Sequence, residues 1–166
     1  MQYFPKLDGD AICLSPISVD DHSVALYTKW LNDPAVTDNL GNSAMLFTAD
    51  KERQALIRLA ETDYNFAIIH KESEDLLGNA GLYAIDRIHR KAECGLFIGE
   101  AAYRGKGHGT EGLRLLLHYS FQTLNLQNIL LRVNALNLAG IACYEKVGFR
   151  RIGVRRNSYY IRGAYH

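Results

Sequence analysis

Hydrophobic and polar positions along the chain follow two different periods, and the change between them divides the sequence into helices and strands. The first third predicts a strand over residues 11–17, followed by a helix that Ser18 or Asp20 caps. Residues 35–47 fit a short helix followed by a loop, and another helix opens near Thr48. This part of the chain is therefore expected to cover a sheet.

Three consecutive strands are predicted next, over Asn65–His70, Leu76–Ile85 and Ala92–Ile98. Short polar turns separate them, which is typical of an antiparallel meander. Gly78 and Gly81 interrupt the middle strand and indicate either a weak strand or a bulge.

The last part of the chain reads as helix, strand, helix and strand, with the two strands over residues 128–133 and from Phe149 to about Ile161. A strand–helix–strand unit with short loops predicts that residues 128–133 pair in parallel with Ala92–Ile98. The expected fold is α/β (α+β), a single domain over residues 1–166 with a mixed sheet and helices on both faces.

Composition narrows the class of protein. The 166 residues suffice for one domain with a sizeable core, and a net charge of +1 gives no bulk field for nucleic acid or a membrane surface. The N-terminus has no apolar segment typical of a secretory signal. Three widely spaced cysteines match neither a metal site nor a disulfide framework. We expect a cytoplasmic protein without a metal.

The most informative stretch is Tyr103-Arg104-Gly105-Lys106-Gly107-His108-Gly109-Thr110, between a predicted strand and an amphipathic helix. Alternate glycines allow a tight turn, and backbone N–H groups at a helix start attract anions. This pattern favours a bound phosphate or pyrophosphate over a flexible turn with two solvated cations. A P-loop is excluded because Gly107 stands where Ser or Thr is needed, and no carboxylate ends the next strand as a dinucleotide site requires.

Two ionisable residues flank this loop. Glu93 lies in an otherwise apolar strand, where it is either a general base or a charge on a solvated sheet face near Arg90 and Lys91. Tyr144 lies on the last helix, where it is either a proton donor or a core tyrosine. His108 is interpreted as an exposed residue at the helix start.

The glycine-rich stretch resembles the (Arg/Gln)-x-x-Gly-x-(Gly/Ala) loop of the GNAT superfamily of acyl-CoA N-acyltransferases. Residues 137–149, Asn-Leu-Ala-Gly-Ile-Ala-Cys-Tyr-Glu-Lys-Val-Gly-Phe, resemble a second motif of that superfamily, except that Gly140 replaces the usual Ala or Ser. Two stretches, Ile-His-Arg-Lys-Ala-Glu over residues 88–93 and the helix end from Tyr119 to Leu126, look most like the branch with ribosomal-protein alanine N-terminal acetyltransferases and spermidine acetyltransferases.

The resemblance implies roles for individual residues. The N–H groups of the loop, from Gly105 through Lys106, Gly107, His108 and Gly109 to Thr110, would hold the pyrophosphate of acetyl-CoA, with Arg104 shaping the loop. Backbone groups at Phe97 and Ile98 would pair with the pantetheine arm, and Asn137 would lie near the thiol. Glu93 would deprotonate the amine through water, and Tyr144 would protonate the leaving thiolate.

The expected activity is acetyl transfer from acetyl-CoA to a primary amine, which could be a protein N-terminus, a polyamine or a small metabolite. Residues 30–47 are expected to build the acceptor pocket. An inactive GNAT-like module that senses an acyl-CoA or serves as a partner domain is the alternative. The family's final strand has no counterpart before His166, so we also expect a shortened sheet, completed by a partner as in a homodimer or left splayed.

Overall fold

A six-stranded sheet forms the centre of the computed structural model, which describes residues 3–166. Its strands are hydrogen-bonded in sequence order, antiparallel except for the last pair. That pair is parallel, so the predicted mixed sheet is confirmed. The strands are β1 (Leu7–Asp8), β2 (Ile12–Pro16), β3 (Asn65–His70), β4 (Leu76–Asp86), β5 (Lys91–Ile98) and β6 (Asn128–Leu130).

Each of the first three helices begins at a polar cap, and Asp20 is one of the two caps predicted for the first. Asp20 accepts a bond from the N–H of Ser23, Asp33 caps the next helix, and Thr48 accepts from the N–H of Lys51. None of the helices in residues 3–166 is long and apolar enough to cross a membrane. The helices are α1 (Asp21–Leu31), α2 (Pro34–Leu40), α3 (Ala49–Ala60), α4 (His108–His118) and α5 (Leu138–Lys146), and a π-helical turn, Tyr119–Thr123, extends α4.

Helices cover both faces of the sheet and bury a separate core on each, as predicted. Alternation along the strands sends successive side chains to opposite faces. On β3, Ile68 belongs to the core under α4, whereas Ile69 belongs to the core under α1 and α3. Leu113 of α4 and Leu56 of α3 are fully buried, one in each of the two cores.

The bulge expected near Gly78 is present. The register between β3 and β4 shifts at Ile68 and Ile69, which pair with Gly78 and Leu76. A side chain at Gly78 would collide with the carbonyl of Phe97 on β5, so the glycine permits close approach of two strands.

The strand predicted over residues 128–133 is shorter than expected. β6 ends at Leu130 and pairs only with Lys91, Ala92 and Glu93 of β5. The apolar pattern continues through Val133, but the chain leaves β5 there, so no ladder forms. Local pattern predicts the strand, and the presence of a neighbour sets its length.

The strand predicted from Phe149 to Ile161 was wrong over most of its length. Within the described residues, only β7 (Tyr160–Ile161) is a strand in this stretch, and it pairs with β8 (Ala164–Tyr165) in a hairpin separate from the main sheet. Ile152 and Val154 are 86% and 83% exposed. Their alternation suits a strand, but no described strand lies beside them to complete it.

The β7–β8 hairpin is fastened to α2. Arg162 donates from Nε to a carboxylate oxygen of Asp38 at 2.8 Å. The ring of Tyr159 lies where a side chain at Gly41, just after α2, would collide with it. The hairpin therefore borders the segment expected to receive the acceptor.

Candidate functional site

The glycine-rich loop ends in an exposed helix N-terminus. A single 3₁₀ turn, Ala101–Tyr103, follows β5, and Gly105 and Gly107 then adopt left-handed conformations with φ of 73° and 94°. Gly107 is the N-cap of α4, and its missing side chain leaves the helix without a side-chain cap. The first N–H groups of α4 have no partner within the helix, so they can bind an anion.

Arg104 holds this loop on the end of β5. Its guanidinium donates from Nε to the carbonyl of Ile98 at 2.9 Å and from Nη2 to that of Gly99 at 2.5 Å. These bonds fit the expectation that Arg104 shapes the loop. The cation left exposed is Lys106, whose Nζ lies 5.7 Å from the centroid of the Tyr103 ring.

His108 is buried, which corrects the expectation of an exposed residue at the helix start. It is 8% exposed, and its ring centroid lies 5.7 Å from that of Tyr103 and 5.4 Å from that of His70. Burial lowers the pKa of His108, and His70 lowers it further. Sequence spacing could not show this, because His70 comes from the end of β3.

An open strand edge lies beside the loop. β6 pairs with β5 only as far as Glu93, so within the described residues no strand pairs with the outer edge of β5 from Cys94 to Ile98. The backbone there can accept an extended ligand as an additional strand. The side chain of Phe97 is not part of that edge and packs into the core beside Tyr27.

Glu93 is half-buried and paired with an arginine that the sequence analysis missed. Its Oε2 accepts from Nη2 of Arg132 at 2.7 Å and from Nε at 3.1 Å. Arg90 instead binds Asn125, and Lys91 lies near Asp86. One carboxylate oxygen of Glu93 is therefore held, and Oε1 is left for other partners.

A signal for Arg132 was present in the sequence. Leu130 pairs directly with Glu93 across the parallel strands, and Arg132 follows two residues later on the same side. The predicted parallel pairing places Arg132 on the strand segment next to that of Glu93, but the register that brings the two charges together comes from the structure.

Tyr144 is half-buried on α5, and its ring lies 6.0 Å from that of Phe149. Burial raises the pKa of Tyr144 to about 12, with smaller contributions from Cys94 and Cys143. The hydroxyl therefore keeps its proton at neutral pH and can donate it.

Tyr83 is a second residue that sequence reasoning missed. It pairs across the strands with Glu93, and its hydroxyl donates to the carbonyl of Cys94 at 3.3 Å. Burial raises its pKa, and the charge of Glu93 adds to the effect. Because Tyr83 also contributes to the raised pKa of Tyr144, it links the surroundings of both candidate catalytic residues.

Asn137 is the N-cap of α5. Its Oδ1 accepts from the N–H of Gly140 at 2.9 Å. A Cβ at Gly140 would lie 2.6 Å from Nδ2 of Asn137, so a side chain at this position would push against the capping amide. The same helix contacts the glycine loop, since Cys143 Sγ lies 3.3 Å from Oγ1 of Thr110.

Residues 30–47 lie beside the end of β5, where ring packing and hydrogen bonds hold the segment. Trp30 is buried against Phe97, with its ring where a side chain at Gly99 would collide. Asn32 and Phe47 exchange two hydrogen bonds, of 2.7 and 3.2 Å, which fold the loop after α2 back onto α1.

Cys94 is buried, and the described residues form no cluster suited to a metal ion. Burial raises the pKa of Cys94 to about 12, so its thiol is not a nucleophile at neutral pH. The described part of the chain brings together no group of three or more His, Cys, Asp or Glu residues suited to a metal ion.

Comparisons with known proteins indicate one family for this chain. The family described as "Acetyltransferase (GNAT) domain" matches residues 11–150. Spermidine N(1)-acetyltransferase of Escherichia coli is 30% identical over 155 residues, covering 87% of this chain and 82% of that protein. A protein of Bacillus subtilis named as a putative ribosomal N-acetyltransferase, YdaF, is 33% identical over 91 residues, covering 55% of this chain and 49% of that protein.

The fold agrees with this relationship. The crystal structure of spermidine N-acetyltransferase from Vibrio cholerae in complex with CoA and spermine superposes with a TM-score of 0.82 at 23% identity, covering 95% of this chain and 91% of that one. The chain therefore belongs to the GNAT family of acetyltransferases and is an N-acetyltransferase.

Proposed function

We propose that the protein transfers an acetyl group from acetyl-CoA directly to a primary amine. The observation that carries this proposal is the uncapped N-terminus of α4, which follows a loop with two left-handed glycines and lies beside the open edge of β5. An anionic group and an extended arm, the pyrophosphate and the pantetheine of acetyl-CoA, fit these two features.

In this proposal the N–H groups of residues 105–110 hold the pyrophosphate, and Lys106 adds an exposed positive charge. The backbone at Phe97 and Ile98 pairs with the pantetheine arm, although the carbonyl of Ile98 is already bound by Arg104. Asn137 contributes its Nδ2 near the thiol end, because its Oδ1 caps α5.

The amine must lose a proton before it attacks the thioester, because an alkyl amine is mostly protonated at neutral pH. We assign that step to Glu93, acting through water from the oxygen that Arg132 leaves free. The departing thiolate takes its proton from the hydroxyl of Tyr144, which is protonated at neutral pH. No covalent enzyme intermediate is required.

A polyamine and a protein N-terminus are the acceptors that the names of the relatives support, and a small aminated metabolite is the remaining class. The decisive experiment measures CoA release with a panel of spermidine, short peptides with free N-termini and small primary amines. We expect acetyl-CoA consumption with at least one class, while acetylated versions of the same amines stay inert. If no amine accelerates CoA release, the proposal is wrong.

The cofactor site can be tested separately with Gly107→Val. Nothing lies within 4 Å of a Cβ at this position, so the fold should survive, but φ of 94° is strained for valine and the side chain would obstruct the N–H groups. We expect calorimetric CoA binding to be lost. Gly153→Val is the matched control, because Gly153 also has open space around it and lacks the positive φ. Unchanged CoA binding in a folded Gly107→Val protein would refute the site.

A further inference from the structure

A cluster of side chains anchors the glycine-rich loop to the turn between β3 and β4. The hydroxyl of Tyr103 donates to Oδ2 of Asp75 at 2.5 Å and lies 3.0 Å from Oγ of Ser73. The same Ser73 hydroxyl lies 2.9 Å from Nδ1 of His70. The ring of Tyr103 packs 5.1 Å from that of His70 and 5.7 Å from that of His108, between centroids. Two segments distant in sequence, residues 70–75 and 103–108, thus meet around one tyrosine.

The position of this cluster relative to the loop is informative. Tyr103 and His108 flank the two left-handed glycines of the loop. Neither Gly105 nor Gly107 has an atom within 4 Å of where a side chain would begin. The glycines therefore supply no packing, and the loop conformation depends on contacts made by the residues on either side of them.

Charge strengthens this anchor. The hydrogen bond from Tyr103 and the one from Ser73 lower the pKa of Asp75, and the carboxylate raises the pKa of Tyr103 in turn. At neutral pH the pair is therefore a hydroxyl donating to a carboxylate, a bond stronger than one between neutral groups. No step of the acetyl transfer needs either residue, so a supporting role accounts for the pair.

We propose that Tyr103, held by Asp75 and packed between His70 and His108, is a positioning residue that sets the affinity for acetyl-CoA by fixing the glycine-rich loop before the ligand arrives. The proposal rests on the function proposed above, in which this loop binds the pyrophosphate. A loop that is already ordered loses less conformational freedom on binding, so its ligand binds more tightly. Acetyl transfer takes place beyond the other end of the cofactor arm, so the rate at saturation should not depend on Tyr103.

The test removes the hydroxyl and keeps the ring. We expect Tyr103→Phe to raise the KM for acetyl-CoA and the dissociation constant of CoA by about 3- to 10-fold, the usual range for losing one such bond, with kcat unchanged within about 2-fold. Asp75→Asn, which leaves every ring in place and replaces the charged acceptor by a neutral one, should act in the same direction. The double variant should be no worse than Tyr103→Phe alone, since both changes weaken the same Tyr103–Asp75 bond.

Tyr64→Phe is the matched control. The hydroxyl of Tyr64 also bonds to a charged group, Nη2 of Arg87 at 2.6 Å, but it lies near the turn between β4 and β5 instead of the loop. This variant loses a comparable bond and should leave the KM for acetyl-CoA unchanged. An equal rise in KM in Tyr64→Phe would mean that the effect is a general loss of stability, and the positioning role would be rejected.

Two failures can be told apart. If the wild-type protein does not bind CoA, or the folded Gly107→Val variant binds it normally, the proposed cofactor site is wrong and the positioning role falls with it. If the wild-type protein binds CoA and Gly107→Val does not, but Tyr103→Phe and Asp75→Asn keep the wild-type KM, only the positioning role is wrong. A fall in kcat at constant KM would also reject it.

Discussion

His108 shows how the surroundings of one residue determine its charge. Its ring is buried between Tyr103 and His70, close to Lys106 and Glu111, and its pKa is lowered in the folded protein. The unfolded chain takes up a proton at this ring as the pH falls below the ordinary value of 6.5, whereas the folded protein does so only at lower pH. The stabilising contribution of His108 is therefore complete above pH 6.5 and is lost as the pH falls through the folded pKa of the ring.

We expect His108→Phe, which keeps an aromatic ring in place, to reduce the loss of unfolding free energy between about pH 7.5 and pH 5, a window that spans the ordinary pKa of histidine. Urea unfolding at several pH values measures this pH dependence of the unfolding free energy. His118→Phe, at an exposed position on the same helix, should retain the wild-type pH dependence. Identical pH dependence in the two variants would show that His108 does not titrate differently on unfolding.

Tyr144 offers a test at the same scale. If its hydroxyl protonates the thiolate, Tyr144→Phe should lower kcat by roughly 10²–10⁴-fold, the usual contribution of a general acid. CoA binding measured by calorimetry should be unchanged, because the ring still packs near Phe149. Tyr160→Phe, in the exposed pair of rings with Tyr165, is the control with the same atom removed. Full activity in Tyr144→Phe would exclude it from the mechanism.

The candidate residues were predictable from sequence only as far as local pattern and motif resemblance reach. Those two sources bring out Glu93 and Tyr144. They do not reveal Tyr83 or the burial of His108, because those depend on cross-strand register and on His70 at the end of β3, 38 residues away in sequence. A local period carries no information on contacts between segments that are distant in sequence.

At the scale of elements, the glycine at position 140 and the cap at position 137 act together. In the wild-type protein, Gly140→Ala would add helix propensity but push against the side chain of Asn137. In an Asn137→Ala background the collision is gone, and only the propensity gain of about 0.5–1 kcal/mol remains.

We therefore expect Gly140→Ala to stabilise the Asn137→Ala protein by about 1 kcal/mol and the wild-type protein by clearly less. Urea unfolding of the four proteins in this double-mutant cycle gives the coupling free energy. Asn137→Ala alone should cost about 0.5–2 kcal/mol through the lost cap. Equal gains in both backgrounds would mean that the cap and the glycine are independent.

Element boundaries were predictable where the local signal is complete. β3 matches its predicted bounds, and α1 and α3 begin at their predicted caps, because strand alternation and capping are encoded within a few residues. β6 and residues 149–159 were not, since a strand also needs a neighbouring edge. β1 has only two residues, too few to show a period.

At the scale of the whole molecule, one sheet separates two cores, and neighbouring residues on it serve different cores. Ile68 and Ile69 are adjacent on β3 but lie in opposite cores, whereas Ile12 and Ile68 share the core under α4. The Cδ1 atoms of Ile12 and Ile68 both approach the position of a Cβ on Gly112, at 3.5 and 3.8 Å. The substitution of Ile by Val removes that atom and leaves a cavity.

Each single variant, Ile12→Val, Ile68→Val or Ile69→Val, should therefore cost about 0.5–1.5 kcal/mol. We expect Ile68→Val and Ile69→Val to be additive within about 0.5 kcal/mol, because their cavities lie on opposite sides of the sheet and share no lining atoms. Ile12→Val and Ile68→Val should deviate from additivity, because their cavities merge above Gly112 and the surrounding side chains relax into them jointly. Urea unfolding free energies of the three single and two double variants measure both couplings. Strong coupling between Ile68 and Ile69 would show that the sheet does not separate the two cores energetically. Additivity in the same-core pair would show that the two cavities near Gly112 do not merge.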